Sequence, residues 1–258
     1  MLYASSVALS VTGLRKTGTH AILMSDIFAE ERKMLKIIKK MNKEVTQERL
    51  LACIPGKSAD RYEDDVEDLL DQLTEADAMH PAAAYTEVAV DHAEDSCIQC
   101  SSTNICSSLF ALNCHEGDKV YPCLVTVGKE MDAFAAGLDD PMLSYLQGTL
   151  MNLCLDDALL TIAEEILKEH PEKKLMMVKP GVAGICELSE QAGILALLEN
   201  GAEELGVTVS DRGFLTPGYS STALLFLSET GVDCCADWQE EEERKRLLHE
   251  LNVMAGHI

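Results

Sequence analysis

Aromatic side chains are scarce in this chain: Trp 1, Tyr 6 and Phe 5 among 258 residues, 5% in all. So few rings argue against a broad platform for stacking bases or sugars. Basic charge is equally short, with 21 Lys and Arg against 44 Asp and Glu and a net charge of −23. Such a surface repels phosphate backbones and anionic lipid, which excludes nucleic acid and membrane surfaces as partners. No run of 18 apolar residues occurs, so no membrane span is expected. Met1–Leu14 is mildly apolar but has no basic leader and no clean apolar centre, so it does not read as a signal peptide. Gly-rich phosphate loops are absent, and the seven histidines form no HxxxH or HExxH pair. Together these features point to a cytoplasmic protein without a histidine-rich metal centre.

What is present suits a globular chain: 47% apolar and 25% charged residues, enough for one full core with an appendage. Charge is uneven. Residues 1–44 carry eight basic and four acidic side chains, a net of +4, which leaves −27 for the remainder. This break marks residues 1–40 as a basic helical extension, with a domain over 41–258. Within the break, Met24–Lys43 has Ile27, Met34, Leu35, Ile38 and Met41 near helical spacing. It suits either a solvated extension or a helix that binds a partner.

Cys97, Cys100 and Cys106 begin with a metal-compatible Cys-x-x-Cys spacing, and Cys234-Cys235 follows far downstream. A structural zinc or an iron–sulfur cluster is one reading. Placement inside strand and helix patterns favours the other, ordinary reduced thiols in a reducing compartment and no metal.

Periodicity predicts a short helix over Thr46–Ile54 stopped at Pro55-Gly56, then a helix over Ala59–Ala78 with Tyr62, Val66, Leu69, Leu70 and Leu73 in one stripe. Strands are expected at Tyr85–Val90, Ser96–Cys100, Val120–Val127, Leu175–Val178, Val207–Val209 and Ala223–Leu227. Gly128 opens a helix through Phe134, and Pro141 starts a long helix reaching His170. Helices are also expected over Ser189–Leu198, with Ser189 as N-cap, and over Glu240–Ala255. Strands and helices mix without a strict βαβ rhythm. The fold class is therefore α+β, a largely antiparallel central sheet packed with helices.

Three motifs carry the functional reading. Thr126-Val-Gly-Lys-Glu-Met-Asp leaves a strand and opens a helix. Lys179-Pro-Gly-Val-Ala-Gly-Ile-Cys-Glu-Leu-Ser-Glu-Gln follows the strand after the long helix. Thr216-Pro-Gly-Tyr-Ser-Ser-Thr-Ala separates the last two strands. Pro-Gly turns let a ligand approach the backbone, and Ser and Thr hydroxyls in such a turn donate to a ligand or cap the loop. No His or acid adjoins Ser220 in sequence, so a serine nucleophile gets no support.

In order and content these motifs resemble the activation domain of cobalamin-dependent methionine synthase, over roughly Met41 to Asp237. That family shows Thr-Leu-Gly-x-x-Val-Asp, Arg-x-x-Pro-Gly-Tyr-Gly and Val-Pro-x-x-Ser-x-Ser-Gly in the corresponding places. The resemblance implies a methionine synthase activation domain-like fold and an S-adenosylmethionine (AdoMet) site at Lys179, Pro180, Gly181, Val182, Pro217, Ser220 and Thr222. It implies a cleft between the two loops and a domain that positions the methyl donor without supplying an acid, a base or a nucleophile. The chain departs from the family at two positions: Met177 stands for the Arg and Val182 for the Tyr. An acid that the family's long helix offers falls near Thr161, with Asp156 and Asp157 one turn earlier.

No Asp-x-His-x-x-Gly cobalamin segment occurs here. The resemblance then implies a stand-alone subunit, part of a cobalamin-dependent methyltransferase, that supports reductive methylation of a cobalamin or corrinoid protein. AdoMet would be the donor, and cobalamin would sit on the partner. Weak AdoMet binding follows from the missing guanidinium fork and ring. The alternative is a non-enzymatic accessory protein that binds a corrinoid protein or another small molecule without AdoMet.

Overall fold

The computed structural model describes residues 35–41, 44–54 and 59–228. The described residues all belong to one compact unit. In chain order the strands are β1 (Lys36–Ile38), β2 (Ala82–Tyr85), β3 (Val88–Ala89), β4 (His92–Glu94), β5 (Cys97–Cys100), β6 (Thr103–Cys106), β7 (Lys119–Thr126), β8 (Lys174–Val178), β9 (Thr208–Val209), β10 (Leu215–Thr216) and β11 (Ser220–Ser228). The central sheet runs β1-β2-β7-β11-β8, with β3 following β2 along the same edge of β7. Every pairing in it is antiparallel. A three-stranded sheet β4-β5-β6 and a ribbon β9-β10 stand apart from it. The fold is α+β, as the mixed pattern predicts.

Both faces of β7 are covered, so it reads as an apolar run rather than an alternating strand. Tyr121, Cys123 and Val125 face the long helix Pro141–Glu169, whose Ala158, Leu159, Ile162, Ala163 and Ile166 recur at helical spacing. On the opposite face, Val120 and its neighbours Leu224 and Phe226 of β11 meet the β4–β6 sheet, Phe110 and the helix Glu190–Leu197. Phe110 and Phe226 pack edge to face, with ring centroids 5.8 Å apart. A third cluster joins the helices Gln47–Ala52 and Glu63–Glu75 to the first half of the long helix through Leu50, Leu69, Leu146 and Leu150.

The long helix starts where Pro141 predicts. Asp140 accepts from the amides of Met142 (2.7 Å) and Leu143 (3.2 Å), and Pro occupies the first turn, where an N–H is dispensable. It stops before Pro171. Thr46 caps Gln47–Ala52 by accepting from the Arg49 amide. The stripe over Ala59–Ala78 buries Val66, Leu69 and Leu73 as expected, but its first turn, Ala59–Tyr62, is 3-10 and the α-helix begins at Glu63. No helix among the described residues is long and apolar enough to cross a membrane.

Several expectations are corrected. Most of the helix read over Met24–Lys43 lies outside the described residues, but Lys36–Ile38 is a strand paired with Tyr85–Ala83. Ile37 and Ile38 point to opposite faces, into separate apolar clusters, a division that a pleated strand satisfies and a helix does not. This strand joins the sheet ahead of the boundary expected at residue 40. The single strand read over Tyr85–Val90 is two, β2 and β3. The register across the gap is continuous, and Thr86 donates to the Pro122 carbonyl, but Pro122 has no N–H to return. Val207–Val209 does not enter the central sheet; its strand, β9, pairs with β10. Ser220 and Thr222, read as turn residues, begin β11. Ser189 sits at the N-cap position but makes no side-chain capping bond.

Most of the described cysteines are free, but Cys97 and Cys106, expected as ordinary thiols, form a disulfide. They face each other in the β5–β6 hairpin, and chain alternation sends Cys100 to the opposite, buried face. The Cys234-Cys235 pair and the helix read over Glu240–Ala255 lie outside the described residues.

Candidate functional site

The three motifs gather at one end of the central sheet, the end of β7 and start of β11. Thr126, the last residue of β7, is buried and pairs in register with Ser220. Its Oγ1 accepts from Ser220 Oγ at 2.8 Å and from the Gly128 amide at 3.2 Å, and it donates to the Tyr219 carbonyl at 3.4 Å. Asp132, in the first turn of the helix Lys129–Ala136, accepts from the Gly218 amide at 2.9 Å. The first motif therefore grips the third through both a hydroxyl and a carboxylate. Pro217 is buried at the centre of this turn, after a cis Thr216–Pro217 bond.

The second motif approaches from β8. It leaves β8 just after Val178, which pairs with Leu224 at the middle of β11. The loop closes on itself: the Gly181 amide donates to the Cys186 carbonyl at 2.9 Å, and the Ile185 and Cys186 amides both donate to the Val182 carbonyl at 3.0 Å. Its far end anchors the sheet. Gln191 Nε2 donates to the Gly213 carbonyl, and Gln191 Oε1 accepts from Thr222 Oγ1 at 3.2 Å. Both Gln191 and Thr222 are buried. Gly213 is required here: a Cβ at this position would lie 2.6 Å from the Leu188 carbonyl oxygen, and its φ is +82°.

The expected site residues thus share an end of the sheet but not a face. Lys179 turns toward the long helix and pairs with Asp156 at 2.9 Å. Thr222 turns to the opposite face, toward Gln191. The two departure positions split likewise: Met177 packs with the long-helix cluster and Val182 with the opposite one. Of the polar groups named from sequence, Ser220, Thr222 and the Gly181 amide are engaged in internal bonds. The Lys179–Asp156 pair is partly exposed, with side-chain exposures of 33% and 47%. No residue here is arranged as a nucleophile with a base. Among the described residues, no group of three or more His, Cys, Asp or Glu is placed to hold a metal.

Nothing in the sequence marks Arg49 as part of the site. Its Nη2 meets Asp157 Oδ1 at 2.7 Å, and its Nη1 donates to the Glu44 carbonyl at 2.8 Å. Asp157 is 4% exposed, and its Oδ2 has no hydrogen-bond partner among the described residues. Adjacent acids on the long helix are therefore held by bases from two different elements, Arg49 on one and Lys179 on the other. The only signal in the sequence is the Asp156-Asp157 doublet inside an apolar helical pattern. At position 161, where the resemblance puts an acid, the Thr161 hydroxyl is buried and donates to the Asp157 carbonyl.

Toward the other end of β7 lies a shallow pocket lined by Lys36, Tyr85, Glu87, Tyr121 and Glu169. Lys36 Nζ lies 5.1 Å from the centre of the Tyr85 ring and donates to its hydroxyl at 2.9 Å; that hydroxyl donates to Glu165 at 2.7 Å. Tyr121 donates to Glu87 at 3.2 Å, and Lys119 pairs with the same carboxylate at 2.7 Å. Burial first, then the neighbouring carboxylates, holds both phenols well above their ordinary range. They therefore act as neutral donors.

No protein-family model and no curated protein matches the sequence. The structure is similar to the crystal structure of the MetH reactivation domain bound to AdoHcy, with a TM-score of 0.62 and 15% identity. The match covers 88% of this chain and 90% of that one. At this identity the likeness is one of fold.

Proposed function

We propose that this chain is an activation-domain-like component that supports reductive methylation of a cobalamin or corrinoid protein, with AdoMet as methyl donor. The system would be methionine synthesis or a related corrinoid methyltransferase in the cytoplasm. The observation that carries this reading is the convergence of the three motifs on one end of a sheet whose fold matches the MetH domain. Lys179, Pro180, Gly181, Val182, Pro217, Ser220 and Thr222 form the loops of the proposed site.

Within that site the Lys179–Asp156 pair fits the donor best. An ammonium and a carboxylate, both partly exposed, match the carboxylate and ammonium of a methionine moiety. Ser220 and Thr222, on the opposite face, fix the start of β11 beside the loops through their internal bonds. When bound, AdoMet supplies an electrophilic methyl group. This chain supplies no acid or base and contributes by holding the donor in position, so its catalytic effect is one of proximity. A lone Lys ammonium lacks the bidentate fork of an Arg, so binding is weak.

Calorimetric titration with AdoMet tests this. Weak binding is expected, reduced about ten-fold further by Lys179→Ala, the loss of one charged hydrogen bond. Binding that is unaffected by Lys179→Ala would move the site elsewhere on the molecule. A second reading, an accessory protein that docks on a corrinoid protein without AdoMet, is favoured by the engagement of Ser220 and Thr222 in internal bonds. No heat with AdoMet, together with retained binding of a corrinoid protein, would select it.

A further inference from the structure

The Cys97–Cys106 bond sits where it touches the proposed site indirectly. Cys97 and Cys106 face each other at the open end of the β5–β6 hairpin, whose turn is Ser101-Ser102. Chain alternation puts them on the outer face with Gln99 and Asn104, both exposed, while Ile98 and Ile105 are buried beneath. Both sulfur-bearing residues are only partly buried, so a small thiol can reach them. Cys100, Cys114, Cys123, Cys154 and Cys186 are buried and free, and burial pushes each of these thiols above its ordinary value. They are poor competitors in exchange, which needs an accessible thiolate.

The hairpin is tied to the helix Glu190–Leu197 at two points. The Cys106 amide, on the hairpin's outer edge, donates to Glu190 Oε2 at 3.1 Å. Gly193 lies directly against the hairpin: a Cβ there would come within 3.3 Å of the Thr103 methyl and 3.4 Å of the Asn104 carbonyl. The next residue after Glu190 is Gln191, whose amide bridges Thr222 of β11 to the Gly213 turn. A continuous path of bonded and packed groups therefore runs from the disulfide to Thr222 at the start of β11, one of the residues of the proposed loops.

We propose that the β5–β6 hairpin is a thiol–disulfide switch that holds the Gln191 bridge in place when Cys97 and Cys106 are joined and releases it when they are reduced. The switch regulates the site described above and in that respect rests on that reading. A dithiol reductant opens it. One thiolate attacks a sulfur of the pair, the Cys97–Cys106 bond breaks, and the departing sulfur takes up a proton. The second thiol of the reductant then displaces the mixed disulfide. The protein gains two electrons and ends with two thiols, and the reductant ends as a disulfide. The reverse exchange with a small disulfide closes the switch.

The test is amide hydrogen exchange on the full chain, oxidised and then reduced with dithiothreitol, with no AdoMet present. Reduction should speed exchange in 188–198 and 210–222 by about ten-fold or more, leave β7 and β8 protected, and be reversed by reoxidation. The Cys97→Ser/Cys106→Ser double variant should match the reduced state. Glu190→Ala should abolish most of the difference between the two states, because it cuts the tie at the Cys106 amide. Loosening confined to 96–107 would overturn the proposal, and so would loss of protection throughout the sheet or no change at all. None of these results depends on AdoMet, so a failed titration with AdoMet leaves them standing.

Discussion

Thr222 illustrates how one hydroxyl separates two accounts of this protein. It is buried, and its Oγ1 donates to an oxygen of Gln191, which is itself buried. Thr222→Val keeps the shape and removes the donor, leaving a buried acceptor unpaired at a cost of about 1–3 kcal/mol. Urea denaturation should show that loss, and Thr222→Ser should recover most of it. If stability is unchanged while AdoMet affinity collapses, the hydroxyl serves a ligand and not the internal Gln191 bond. Arg49 and Asp157 make a comparable point. The pair was invisible in sequence because the partners are 108 residues apart and only the docking of the short Gln47–Ala52 helix on the long helix brings them together.

Among the elements, the turn between β10 and β11 is held less by its own residues than by the helix beside it. Asp132 sits in the first turn of Lys129–Ala136, where a carboxylate is favoured by the helix dipole, and reaches out to the Gly218 amide. Because this contact is exposed, Asp132→Ala should cost under about 1 kcal/mol of global stability. It should nonetheless loosen the Pro217–Ser220 turn, seen as faster amide exchange there with β7 unchanged. Equal loosening of β7 and the turn would mean that the turn has no independent behaviour. The break between β2 and β3 has a similarly local origin: one Pro in a central strand removes one ladder donor. That signal was in the sequence at Pro122, but it acts on Thr86, across the sheet, and becomes meaningful only once the register is known.

At the scale of the whole molecule, burial of so many thiols makes stability fall in alkali. Burial pushes Cys100, Cys114, Cys154 and Cys186 up to about 12, and Cys123 also lies well above the ordinary value of 9.0. A group whose value is raised by folding stays protonated in the native state while the unfolded chain ionises. Its stabilising contribution is complete below the unfolded value and is lost as pH rises from near 9 through about 12. Tyr85 and Tyr121 act with the same sign. Thermal melting should therefore show Tm dropping steeply above about pH 9, more than in a protein without buried thiols. A Tm that stays level to about pH 11 would contradict the burial of these groups.

The sequence by itself determined the elements whose signal is local: the long helix from its Pro141 start, the buried run of β7, the apolar stripe of Glu63–Glu75 and the α+β class. Each follows from periodicity and capping within a few residues. It also marked the three motifs and their order. The tertiary structure alone decided what those motifs touch. Side chains two residues apart on a strand share a face, while neighbouring strands and loops choose their faces by register. Thus Lys179 and Thr222 could be assigned to one end of the sheet from sequence, but not to opposite faces. The same holds for Lys36–Ile38, whose isoleucines suit a helix stripe or a strand edge and became a strand because β2 offered an unpaired edge. Pairing of Cys97 with Cys106, rather than with Cys100, likewise came from hairpin register, which brings distant backbone positions face to face and leaves no trace in linear spacing.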